Sequence, residues 1–275
     1  MVGVIALACK YDAPDLYAEA IRRLERINPT TLAGSDALHP KPLSTERRSS
    51  KSHGPLVHLL ACNTVFLINI ARHLQLPELL NLVPYAFYIA SISPTVALTH
   101  GAIRTPHRVL CGDVDPAELV RCKHSLSPSR GLVLSNRQKD AARNNCVCET
   151  LHPDDLRRVQ AGKQALKDLA KEVTRCFQVH RSNISPACVH RWPVATNPCF
   201  AAMRRLNHQA RKDGILTDED LLARRDGWID AFCQKKSEEG MLCGACKAHL
   251  KSLHKEARQR LWNDLTKHFD LADWP

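Results

Sequence analysis

The sequence predicts a mainly α-helical protein with few or no strands. Three observations predict it. Apolar residues recur at spacings of three and four along several stretches, no stretch alternates apolar and polar residues convincingly, and the 16 prolines cluster between the periodic stretches. At 275 residues and 44% hydrophobic content the chain can bury a real core, as one large domain or two ordinary ones. Aromatics are sparse at 5%, in keeping with helices joined by long irregular connections.

Taken in order, Val2 to Cys9 is continuously apolar or small and reads as a buried helix or strand. In the following "YDAPDLYAEAIRRLERI", Asp12 can cap and Pro14 suits a first turn, while Leu16, Ala20, Ile21, Leu24 and Ile27 recur at helical spacing. Residues 33–55 have no period and much Pro, Ser and charge, the composition of a linker. Leu56 to Leu74 resumes as an apolar-faced helix. Its partner starts after Pro77, carries Leu79, Leu80, Val83, Ala86 and Phe87, and ends near Ser93-Pro94. Residues 101–149 form an irregular insertion with one short helix at Pro116 to His124. Leu156, Val159, Leu166, Leu169, Val173 and Phe177 mark the next stripe. The last third holds a Cys/Pro loop from Ser185 to Pro198, helices near Cys199 to Lys212 and Asp218 to Gln234, and a long helix from about Gly244 to Phe269. In that last helix Leu250, Leu253, Ala257, Leu261 and Leu265 line up as a core stripe, with Lys247, Lys251, Lys255 and Arg258 on other faces. The expected organisation is therefore 1–32, a linker at 33–55, a helical middle region at 56–180 and a Cys-rich helical unit at 181–275.

Composition excludes several functions. The formal net charge is +11, but the Lys and Arg residues are spread out, with no recognisable module or stacking aromatics; a solvated basic surface is expected rather than a nucleic-acid face. The start lacks the basic n-region of a signal peptide. The uncharged run from Leu79 to Leu98 is interrupted by two prolines and an asparagine, which reads as a buried helix and not a membrane span. Without a signal, the 12 cysteines point to reduced thiols or metal ligands in an intracellular protein of cytoplasm or nucleus. The 14 histidines include no zinc-protease pattern, and there is no Gly-rich phosphate loop or Gly-x-Ser-x-Gly elbow. The pair Asp154-Asp155 sits where a helix start explains it. No catalytic constellation is expected.

The order of motifs carries a resemblance. "ACKYDAPDLYAEAIRRLE" resembles the tail of a BTB/POZ domain, where a Lys-Tyr-Asp turn joins the last two helices. "DDLRRVQAGKQAL" resembles the BACK-like helical region that follows such domains in a fungal group, and "SPAC…NPC", "LCGAC" and "RLWNDLTKHFDLADWP" are similar to that group's ending. The resemblance implies an interaction scaffold with protein partners, in some members a ubiquitin-ligase adaptor. Met1 falls almost on the final BTB helices, so the strand-and-helix core of that domain is expected to be missing. Val2, Val4, Ile5 and Leu7 would then form an apolar patch that drives self-association.

The chemistry-bearing signal is Cys243-x-x-Cys246 at a helix start, with Gly244 permitting the turn. A structural zinc site takes four ligands, thiolates preferred, with pairs commonly two to four residues apart. Cys188 and Cys199 are the candidate second pair, with His190 as a substitute ligand. Zinc binding requires the four sulfurs to gather within about 4 Å of one another. Two other readings stay open. Cys243, at a helix start, could be an acidic redox thiol, or all four could be inert packing. Cys233, beside Phe232, reads as a buried small residue, and Cys111, Cys122, Cys146 and Cys148 carry no assignment. The expected function is a non-enzymatic interaction or scaffold protein. The alternatives are a basic, zinc-stabilised nucleic-acid-associated protein and a CxxC thiol oxidoreductase.

Overall fold

A computed structural model of the chain describes residues 2–38, 55–93, 98, 102–104, 147–190, 197–234 and 242–274. The expected mainly α fold is what they form. Two compact units account for the chain: one takes Met1–Thr30, Ser49–Ala161 and Phe269–Pro275, the other Thr31–Arg48 and Gly162–His268.

In the first unit, α1 (Val2–Lys10) and α2 (Pro14–Glu25) pack as a hairpin. The turn between them is Tyr11-Asp12-Ala13, with Asp12 in the left-handed region at φ 48° and the Tyr11 N–H donating to the Leu7 carbonyl. Ile5, Ala8, Ala20, Ile21 and Leu24 are buried. Among the described side chains of the apolar patch expected here, Ile5 is fully covered, Val4 is half-buried and Leu7, at 52% exposure, turns outward.

The helix α4 (Pro55–Leu74) lies against α6 (Val83–Ile92), with the short α5 (Pro77–Leu80) between them. One continuous partner helix was expected after Pro77. It is two, because Pro84 opens a new first turn and has no N–H to continue the old one. Every side chain of α6 from Tyr85 to Ile92 is buried, which explains its uncharged sequence. Among the described residues no helix is long and apolar enough to cross a membrane.

Two strands, β1 (Ala102–Arg104) and β2 (Val147–Glu149), pair antiparallel with Ala102 opposite Glu149. They bring together the two ends of the segment read as an insertion. The helix expected at Pro116 to His124, with Cys111, Cys122 and Cys146, lies outside the described residues. The helix α7 (Pro153–Val173) contributes its start, through Ala161, to this unit. There Asp155 is no simple helix-start carboxylate: it is fully buried and holds Arg72 and Trp274. The C-terminal segment adds Phe269 and Trp274, whose rings sit 5.7 and 5.9 Å from that of Phe87.

In the second unit, the rest of α7 runs into a 3-10 turn, Thr174–Phe177, that places Phe177 at the centre of the core. Around it pack α8 (Pro198–Lys212), α9 (Asp226–Gln234) and α10 (Gly244–Asn263), through Met203, Leu206, Ile229 and Leu250. The short α11 (Leu265–His268) continues from α10. Trp228 meets Phe177 edge-on at 5.7 Å and donates Nε1–H to Asp213 at 2.8 Å. Gly214 takes the left-handed φ of 66° that ends α8, a conformation that costs a side chain strain and glycine little.

Three sequence expectations are corrected here. The linker at 33–55 begins with a helix, α3 (Leu32–Leu38), started by Thr31, whose Oγ1 accepts the Gly34 N–H; residues 39–54 lie outside the described residues. The helix near Asp218 to Gln234 starts only at Asp226, since buried Arg225 reaches back to pair with Asp218 and holds 218–225 in an irregular path. Arg258 is not on a solvated face. Its side chain is 3% exposed, its Nε–H donates to the Leu222 carbonyl at 2.8 Å, and its guanidinium pairs with Asp36.

Candidate metal centre

Three separate segments supply the four cysteines. The first is the loop carrying Cys188. Buried Asn183 holds its start in place, directing Nδ2 to the carbonyls of Arg175, Cys176 and Gln178 at 2.9, 3.1 and 2.8 Å. The Cys188 N–H then closes a turn onto the Ser185 carbonyl at 2.9 Å. The second is the start of α8. Asn197 caps it, its Oδ1 accepting the N–H groups of Cys199 at 2.8 Å and Phe200 at 3.2 Å, and Pro198 occupies the first turn. Asn197 also donates Nδ2–H to the His190 carbonyl, which ties the first segment to the second. The third is the start of α10, where Cys243 precedes the helix in extended conformation and Cys246 lies in its first turn.

The ligand atoms of Cys188, Cys199, Cys243 and Cys246 all lie within 4.8 Å of one another. The Cys243 and Cys188 sulfurs are 3.9 Å apart, and the Cys243 N–H points to the Cys199 sulfur at 3.3 Å. Cys188, Cys199 and Cys246 are buried and Cys243 is half-buried. Among the described residues this is the one group of three or more His, Cys, Asp or Glu side chains that could hold a metal ion. His190 is exposed and outside the group. Cys233 packs against the core at the side of α9, as expected of a small apolar residue. Cys176 is a further buried cysteine, away from the four, and burial pushes its thiol up to about 12.

The four thiols are not electrostatically alike. Burial pushes Cys199 up to about 11, against the Cys243 N–H that favours its thiolate, and burial raises Cys246 as well. Burial also opposes ionisation of Cys243, but N–H groups of Cys246 and Val189 and the neighbouring thiols donate to its sulfur and together bring it down to about 6. Two helix N-termini, those of α8 and α10, meet at the sulfurs, and their partial positive charge favours thiolates there.

No family model, curated protein or solved structure matches this chain.

The donor set alone therefore states what the site can do. Tetrahedral ligation by thiolates at about 2.3 Å puts the sulfurs about 3.8 Å apart. The Cys188–Cys243 pair already has about that spacing, and no pair of the four exceeds 4.8 Å. The group is too tight for the metal–sulfide core of an iron–sulfur cluster and fits a single ion. Four soft ligands fill a tetrahedral shell, leaving no open position for a water or substrate.

Sequence reasoning missed three side chains that shape this unit. Asn183 and Asn197 fix the loop and the cap, and the Asn-Pro at 197–198 was a legible helix-start signal. His254, buried on the α10 stripe 5.2 Å from the Phe177 ring, carried no signal apart from its helical position.

Proposed function

We propose that this chain is a non-enzymatic interaction protein whose Cys-bearing unit is held in shape by a structural zinc ion. The observation that carries the reading is the convergence of Cys188, Cys199, Cys243 and Cys246 from three segments beside the Phe177 core. Zinc is the ion such an all-thiolate, tetrahedral set favours in a reducing compartment, and a filled shell makes it a structural ion. The residues would hold it as thiolates, so binding releases the protons that burial keeps on Cys199 and Cys246. The scaffold part of the reading draws on the α1–α2 hairpin with its Lys10-Tyr11-Asp12 turn, the stretch that resembles a BTB/POZ tail and implies protein partners. Among the buried ionisable side chains, Asp155, Arg225 and Arg258 are in ion pairs and His254 packs on Phe177, which supports a protein built to hold shape.

A thiol oxidoreductase is the second reading, favoured by the acidic Cys243 next to Cys246 at a helix start. It leaves Cys188 and Cys199 without a role, although their sulfurs complete the group. Metal analysis of the purified full chain separates the two. The zinc reading expects about one zinc per chain, and a strong chelator should melt the Cys-bearing unit and lower its helical signal. A metal-free chain with the same melting curve, and a Cys243–Cys246 disulfide that thiol reagents open and close, would favour the oxidoreductase.

A further inference from the structure

We propose that the outer face of α8 docks an acidic segment of a partner protein. This deepens the interaction-protein reading and rests on it. The helix PCFAAMRRLNHQARK contains no acidic residue. Its exposed side chains Arg204, His208, Arg211 and Lys212 recur at spacings that place them on one side. Among the described residues none of the four has a carboxylate partner. Several other surface basic residues do: Arg22 and Arg23 sit on Glu19, Arg157 on Asp154, Arg224 on Asp226, and Lys247 and Lys251 share Asp230. The acid nearest in sequence, Asp213, is taken by Trp228 Nε1 and Gln209 Nε2, both at 2.8 Å.

Two of these side chains have contacts on the helix itself. Arg204 lies over the Phe200 ring at 5.3 Å, and Arg211 donates Nε–H to Asn207 Oδ1 at 3.2 Å. The helix is anchored at its start by the Asn197 cap and by Cys199 in the four-sulfur group. At 1.5 Å per residue the stretch from Arg204 to Lys212 spans about 12 Å. That length matches two turns of a partner helix bearing Asp or Glu, or about four residues of an extended acidic strand. It is short for a nucleic acid, where binding proteins neutralise about six to ten phosphates, and the face carries no exposed aromatic for base stacking.

Fluorescence anisotropy on the purified full chain tests this, with a labelled octaglutamate peptide and a labelled 12-base-pair DNA duplex as probes. The peptide should bind at 50 mM KCl and weaken about 5-fold or more at 200 mM. The double charge reversal R204E/R211E should weaken it at least about 10-fold with an unchanged melting temperature, and R204K/R211K should retain most of it. Peptide binding equal in R204E/R211E and wild type overturns the proposal, as does no peptide binding at low salt. Preference for the duplex, with a steep salt slope, overturns it in favour of a nucleic-acid face. Metal content measured on the same samples tests the zinc reading separately, since neither arginine touches the cysteines.

Discussion

The carboxylate of Asp155 is fully buried, and both its oxygens accept from the Arg72 guanidinium at 2.7 Å. One of them also accepts the Trp274 Nε1–H at 2.7 Å, while Arg72 lies over the Trp274 ring. Three distant stretches of sequence thus share one buried junction in the first unit. Truncating Asp155 to Ala strands a guanidinium and an indole N–H, and should cost about 3–5 kcal/mol. Thermal melts of the full chain check it. A loss below about 1 kcal/mol would show that the junction contributes little.

The second unit depends on a similar contact of longer reach, between Arg258 and Asp36, 222 residues apart. Asp36→Ala leaves the buried guanidinium only the Leu222 carbonyl, and should destabilise the unit by about 3 kcal/mol. Hydrogen exchange gives the sharper readout. Amides of Leu32–Leu38 should lose protection in the variant before those of α10 do. Equal protection of Leu32–Leu38 in variant and wild type would contradict the role given to this pair.

His254 is 3% exposed, and burial, then the charges of Arg258 and Arg225 against that of Asp226, hold its imidazole down to about 3. The folded chain therefore keeps a neutral ring where an unfolded one, titrating near 6.5, takes a proton. Stability is fully present above the unfolded value and falls as pH drops from there toward 3, by about 1.4 kcal/mol per pH unit for this group. His254→Phe should flatten that slope in urea melts between pH 6 and 4. The cysteines titrate in both proteins, so the difference isolates the histidine. Parallel curves would contradict a buried neutral ring.

What was legible in the sequence followed periodicity. The helices Pro153–Val173, Pro198–Lys212 and Gly244–Asn263 each present one apolar stripe to a core, and 3.6-residue spacing reveals such a stripe without any knowledge of what it faces. The helix Leu32–Leu38 was hidden because seven residues containing Gly34 and Ser35 show no period; it is held by tertiary contacts, chiefly Asp36 with Arg258. Arg258 itself was misread since a charge on a helix is ordinarily solvated, and its partners lie far away in sequence. At the four-sulfur group, Cys243-x-x-Cys246 spoke through local spacing. The arrival of Cys188 and Cys199 beside it also involves the Asn183 and Asn197 side chains, whose bonds to carbonyls in the neighbouring loop follow no periodic pattern, although Asn197-Pro198 did mark a helix start.

The central claim is that Cys188, Cys199, Cys243 and Cys246 hold one zinc ion, and X-ray absorption at the zinc edge of the purified full chain tests it most directly. The account predicts one zinc per chain with four sulfur neighbours at about 2.3 Å, unchanged in Cys233→Ser and reduced to three sulfurs, or lost, in Cys243→Ser. A chain without bound zinc, or zinc ringed by nitrogen and oxygen with these cysteines open to alkylation, would contradict it.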